Sequence, residues 1–293
     1  MFRHVIVGVD GRPTGRDAIA LARLLVAPGE RLVLAHVREL TPLLAASGAL
    51  EDLDDSTRLL QQERDATAAD AELVSVAAPS VGRGLHQLAE ERDADLLAIG
   101  SCSRGFVGRA IVGNDTREAL NGASCAVAIA PQGYADVTAA IATIGVGYDG
   151  SPESEAALSL ARDLAAQHGA AIRALEVVQL PTPAYVGMVP WGDALESMLT
   201  GAQERMAALD GVQGDAVLGL AAEELAAFGA LVDLLVVGSR GYGPLRRLML
   251  GSSSAHLASH ARCPLVVLPR GTTPAPDPQV SIDGRDTVAR QSS

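Results

Sequence analysis

The chain repeats itself. HVIVGVDGRPTGRDAIALARLL at 4–25 matches ATIGVGYDGSPESEAALSLARDL at 142–164, and DADLLAIGSCSRG at 93–105 matches VDLLVVGSRGYG at 232–243. Asp10 pairs with Asp149, Gly11 with Gly150, Pro13 with Pro152, Leu21 with Leu160 and Ala22 with Ala161. A repeat about half the chain long cannot be a solenoid unit; each copy is a whole domain. The expected division is 1–135 and 140–270, with a short connection near 132–140 that should pack the two copies as a fixed pair. Residues 271–293 are polar, proline-containing and aperiodic, and read as a disordered tail.

Each copy alternates short apolar runs with helical patterns. Strands are expected at Val5–Val9, Leu32–Val37, Leu73–Ala77, Leu96–Ile99 and Ala126–Ala130, and helices near 15–27, 52–69, 82–92 and 114–122. The second copy gives strands at Ile144–Tyr148, Ile172–Val178, Asp215–Leu218, Leu234–Val237 and Leu265–Leu268. Ala18, Leu21, Ala22 and Leu25 recur at i, i+3, i+4 and i+7, one buried helix face, and Ala157, Leu160, Ala161 and Leu164 repeat it. Thr14 with Asp17 reads as a capping box. Ser151, Pro152 and Glu153 read as cap, first-turn proline and acidic first turn.

Strands that alternate with helices build a parallel sheet covered on both faces. The expected fold is therefore α/β: two tandem doubly wound five-stranded parallel sheets, strand order 3-2-1-4-5. In that order strands 1 and 4 are neighbours at a topological switch, where ligands bind at strand carboxyl ends. Asp149, ending strand 1 of the second copy, and Gly238, ending strand 4, thus meet from 89 residues apart.

Strand 4 of the second copy opens the segment LLVVGSRGYGPLRRLMLGSSSAHL at 234–257. Its buried-strand run leads to Gly238, Gly241, Gly243 and Gly251, then to Ser252, Ser253 and Ser254, residues that favour a helix start. Strand, glycine loop and helix start is an arrangement that holds a phosphate: glycine lets backbone approach an anion, and first-turn N–H groups point at it. It is neither a P-loop nor a dinucleotide fingerprint. The spacing G-x2-G-x9-G-S resembles the nucleotide signature of the ATP-binding branch of the universal stress protein family, and the resemblance covers nearly all of residues 1–270 in tandem. It implies a five-stranded α/β fold, bound ATP and a regulatory role in stress survival. By that resemblance Gly238, Gly241, Gly251 and Ser252 carry the motif. Ser253 and Ser254 add phosphate contacts from the helix start, Asp149 lies by the nucleotide, and the Val177 backbone faces the adenine. Ser239 and Arg240 fall within the loop, and Arg246 and Arg247 are further cationic positions. The expected cofactor is ATP, with or without Mg2+.

The first copy departs from the pattern. Aligning Gly100 with Gly238 puts Gly113 on Gly251, but Ser103 replaces Gly241, and Asn114 and Asp115 replace Ser252 and Ser253. A carboxylate in the first helical turn competes with a phosphate for the same N–H groups and repels it. At ~4 Å and an effective dielectric of 20, two like charges cost on the order of 4 kcal/mol, about three decades of affinity. The first copy is expected to bind ATP weakly or not at all, with Thr116 retaining at most one hydroxyl contact.

Composition narrows the alternatives. Aromatics make up 3% of the residues, too few for the stacking platforms of single-strand binders, and the net charge of −12 repels nucleic acid and anionic membrane. The N-terminal apolar run is shorter than a signal peptide needs, and no stretch approaches a membrane span, so a cytoplasmic protein is expected. Cys125 and Cys263 occupy matching core positions, whereas Cys102 falls in a loop. His256 and His260 have ligand spacing but no third partner, and no catalytic constellation is evident. Slow ATP hydrolysis is the most that the pattern permits. Two other readings stand beside ATP binding: a non-nucleotide module of the same family that dimerises through its last strands, and an enzyme akin to adenine-nucleotide hydrolases or flavoproteins. A homodimer and an unidentified protein partner complete the expectations.

Overall fold

The computed structural model describes residues 1–40, 53–67, 69–101, 114–137, 140–179, 191–239, 252–260 and 262–269. The first half contains β1 (Val5–Gly8), α1 (Pro13–Leu25), β2 (Leu32–Glu39), α2 (Leu53–Thr67), β3 (Ala71–Ala78), α3 (Val81–Glu91), β4 (Leu96–Gly100), α4 (Asn114–Leu120) and β5 (Ala126–Ala130). A 3-10 turn at Tyr134–Asp136 comes next. The second half contains β6 (Thr143–Gly147), α5 (Pro152–His168), β7 (Ala171–Val178), α6 (Trp191–Ala207), β8 (Gln213–Leu218), α7 (Ala221–Phe228), β9 (Leu234–Gly238), α8 (Ser252–His260) and β10 (Leu265–Leu268). All ten expected strands form, within two residues of the expected bounds.

The strand order is β3-β2-β1-β4-β5-β10-β9-β6-β7-β8, so each half is wound 3-2-1-4-5. Pairing is parallel within each half. The two sheets join edge to edge in one ten-stranded sheet, because β5 and β10 pair antiparallel in the register Leu265 with Ile129, Val266 with Ala128 and Val267 with Val127. Strand residues alternate between two cores, as the pleat requires. Val5, Val7, Leu96 and Ala98 belong to the core that also holds side chains of α1, α2, α5 and α6, whereas Ile6, Leu97 and Ile99 belong to the other, with side chains of α3, α4, α7 and α8. Ala18, Leu21, Ala22 and Leu25 are fully buried, as the spacing predicts.

The capping box expected at Thr14–Asp17 does not form. Arg12 is the N-cap of α1 and no side chain caps the helix. Asp17 is 2% exposed, and its two carboxylate oxygens accept from the amides of Gly133 (2.9 Å) and Ala135 (2.8 Å). A distant pair of donors outcompetes the local ones because it is buried with the carboxylate. The Ser151 cap does form: its hydroxyl accepts from Ser154 N at 3.2 Å. The 271–293 tail lies outside the described residues.

Candidate functional site

A cavity of about 410 Å³ opens at the carboxyl ends of β6, β7 and β9. Gly147, Tyr148, Asp149 and Glu153 line it from β6 and the start of α5, and Leu175, Val177 and Gln179 from β7. Ala221 and Leu225 of α7, Val237 and Gly238 of β9, and Ser253, Ser254 and Leu257 of α8 complete the wall. The switch point thus brings Asp149, Val177, Gly238, Ser253 and Ser254 together. Arg240, Gly241 and Gly251 lie outside the described residues, as do Arg246 and Arg247, and Ser252 opens α8.

Asp149 is held by its own turn. Its carboxylate accepts from Ser151 N at 3.1 Å and from the Ser151 hydroxyl at 2.5 Å, and its amide donates to Ser154 Oγ at 3.3 Å. Gly238 has a packing reason beyond the one inferred from the motif: a Cβ there would lie 2.7 Å from Glu153 Cβ and 2.8 Å from the Glu153 backbone. The first turn of α5 passes too close for any side chain. Ser239 departs from expectation. It is fully buried and not part of the cavity wall; its amide donates to Leu268 O at 2.9 Å, and its hydroxyl has no partner among the described residues. The equivalent Ser101 amide makes the same bond to Ala130 O in the first half, so this position ties strand 4 to strand 5 in both copies.

Tyr148 and Gln179 were not singled out from sequence, although both adjoin strand ends, the place where topology puts ligands. The Tyr148 hydroxyl donates to Glu155, and burial followed by that bond pushes its pKa up to about 12. Beneath it, Glu176 is 6% exposed and paired with Arg205 of α6 at 2.5 Å.

The corresponding cavity in the first half is about 80 Å³. Val81 stands where Ala221 stands in the second half, Ile99 where Val237 stands, and Thr116 where Ser254 stands, each adding carbon to the wall. His36 also lines it, with Nδ1 on Val9 O at 2.9 Å. The Thr116 hydroxyl is turned to Gly100 O at 3.4 Å. Ser103, Gly105 and Gly113 lie outside the described residues.

Burial pushes the thiols of Cys125 and Cys263 up to about 12, in keeping with core positions. Cys102 lies outside the described residues. His256 and His260 stack, with ring centroids 4.0 Å apart. Among the described residues no three His, Cys, Asp or Glu converge as a metal site. No helix among them is long and apolar enough to cross a membrane.

Known proteins match this arrangement. The model of the universal stress protein family matches twice, over residues 1–131 and 141–269. The chain belongs to that family and carries its domain in tandem. Universal stress proteins of Mycobacterium bovis and Mycobacterium tuberculosis are 32% identical to it over 183 residues, 60% of this chain and 62% of theirs. The chain thus spans less than two thirds of the length of these relatives. A universal stress protein of Thermus aquaticus is 37% identical over 134 residues, 43% of this chain but 97% of that protein, so one half here corresponds to a nearly whole relative. The crystal structure of a universal stress protein from Archaeoglobus fulgidus superposes with a TM-score of 0.64, covering 92% of this chain and 99% of that one at 18% identity. That likeness establishes the fold.

Proposed function

We propose that the chain is a regulatory universal stress protein that holds ATP in its second domain. The observation that carries this reading is the contrast in capacity, about 410 Å³ in the second half against about 80 Å³ in the first, at the same place in the same fold. The larger cavity combines an apolar wall (Leu175, Val177, Leu225 and Leu257) with Asp149 and the hydroxyls of Ser253 and Ser254. An apolar enclosure with a few convergent polar groups suits a nucleoside, and the start of α8 suits a phosphate. Ser252, Gly241 and Gly251 would complete the phosphate side, with Arg240 beside them. A Mg2+ ion would draw on phosphate oxygens for most of its ligands, since Asp149 and Glu153 are the only acids on the described wall. The domain division at 1–135 and 140–270, a cytoplasmic setting and a protein partner that reads the loaded form belong to the same proposal. A homodimer would use surfaces other than the last strands, which already pair within the chain.

The test is to denature the purified full chain and identify released nucleotide by chromatography. About one equivalent of ATP per chain is expected, lost in Gly251→Asp and kept in Gly113→Asp. About two equivalents would overturn the assignment to the second domain alone. None, with no uptake of added Mg-ATP, would favour the non-nucleotide module. Turnover of ATP well above background would favour the enzyme.

A further inference from the structure

We propose that the outer edge of β3 is a docking surface for a second copy of this chain, which pairs with it strand to strand about a twofold axis. The ten-stranded sheet ends in β3 on one side and in β8 on the other. The fifth strands already pair within the chain, so among the described strands these two edges are where another can add. Among the described residues β3 pairs with β2 alone. The carbonyls of Asp70 and Ala78 accept from Leu32 and Leu40, at the two ends of β2. Even-numbered residues of β3 therefore turn their backbone groups to β2, and Ala71, Leu73, Ser75 and Ala77 turn theirs outward.

The two edges differ in how they are guarded. β8 is 6 residues long and carries Gly214 and Asp215. Antiparallel self-pairing about its centre brings the two Asp215 carboxylates close, and glycine weakens the strand. β3 runs for 8 residues, and Leu73–Ala78 holds no charge, proline or glycine. An edge of that kind pairs unless something covers it. A second copy suits it because the edge is complementary to itself. With Ser75 opposite Ser75 of the second copy, Leu73 meets Ala77 on one face and Val74 meets Val76 on the other, and the outward backbone groups complete a ladder. Glu72, half exposed beside Arg92, comes opposite Ala78 of the second copy. Ala78 packs against the start of α3, where a Cβ on Gly84 would lie 3.0 Å from the Ala78 Cβ. Arg83 in that first turn brings a cation to the incoming Glu72, and the helix N-terminus favours the same carboxylate. The acidic end of each β3 thus meets the basic end of the other. This edge lies across the first half from the larger cavity, so the pairing stands apart from the ATP reading.

The test is the mass of the native full chain in solution, by analytical ultracentrifugation over a concentration series. A dimer is expected. Ser75→Lys sets two ammonium groups against each other on the axis, and the dimer dissociation constant should rise by about tenfold or more. Asp215→Lys, on the opposite edge, should leave it unchanged. A native chain that stays monomeric overturns the proposal. So does a dimer indifferent to Ser75→Lys, or one weakened as much by Asp215→Lys. Should Ser75→Lys fail to fold, disulfide trapping decides. Val74→Cys and Val76→Cys chains, both carrying Cys102→Ser because Cys125 and Cys263 are buried, are mixed under mild oxidation. Directly opposed residues lie within disulfide reach, so the mixture should cross-link, and more than either variant alone. A mixture that does not cross-link overturns the pairing.

Discussion

The two halves share a winding order and a cavity position, yet one cavity has about five times the volume of the other. On the described walls the two differ in a few side chains: Val81 against Ala221, Ile99 against Val237, Thr116 against Ser254, and the His36 ring against Glu176, which turns away to Arg205. Methyl groups and one ring on matching positions add bulk to the wall of the smaller cavity. Ligand capacity sits in the wall and stability in the alternating faces beneath it, so the two can change separately.

The sharpest way to break the contrast is to write the first half's acid into the second. Ser253→Asp copies Asp115 into the first turn of α8, and ATP affinity should fall about a thousandfold, from on the order of 4 kcal/mol of repulsion; calorimetric titration reads it. Next come the strand-end glycines. A Cβ on Gly100 would lie 2.1 Å from the Thr14 carbonyl oxygen, against 2.7 Å from Glu153 Cβ for one on Gly238. Gly100→Ala should cost about 3 kcal/mol and Gly238→Ala about 2 kcal/mol by denaturant unfolding, since backbone blocks both sites and the overlap is deeper at Gly100.

A smaller effect is expected from the two arginine pairs. Arg205→Ala strands Glu176 and Arg16→Ala strands Glu63, both nearly buried carboxylates. Each arginine is about half exposed, so water screens the pair, and a modest loss of stability is expected in either half. Equal losses would show that these pairs serve the scaffold, whereas a loss of ATP binding confined to Arg205→Ala would tie this pair to the larger cavity. The smallest effect is alkaline. Tyr148 has Val9 as its counterpart, and its phenol is raised from 10.0 to about 12 by burial and then by Glu155. A raised acid stabilises the fold fully below pH 10 and loses that contribution as pH rises toward 12. The native chain should therefore destabilise more steeply over that window than Tyr148→Phe, as alkaline unfolding curves would record.

Much of this was legible in the sequence. The short apolar runs located every strand, and the duplication with its strand order placed Asp149 beside Gly238. The illegible parts share a cause: they depend on neighbours distant in sequence. Asp17 looked like a local cap because its partners lie more than a hundred residues on. Ser239 looked like a loop ligand because the carbonyl that buries it belongs to β10. Gly238 looked like a phosphate glycine alone because the closeness of Glu153 arises only once α5 packs on the sheet. The edge-to-edge seam was unreadable because apolar fifth strands are equally consistent with a partner from another chain.

That seam also sets directions. β5 and β10 run antiparallel while each half is internally parallel, so the strands of the first half point one way along the sheet and those of the second the other. The two carboxyl-end cavities therefore open on opposite rims. A partner docked over one mouth has no view of the other, and the molecule presents two dissimilar poles: one nearly filled, one open.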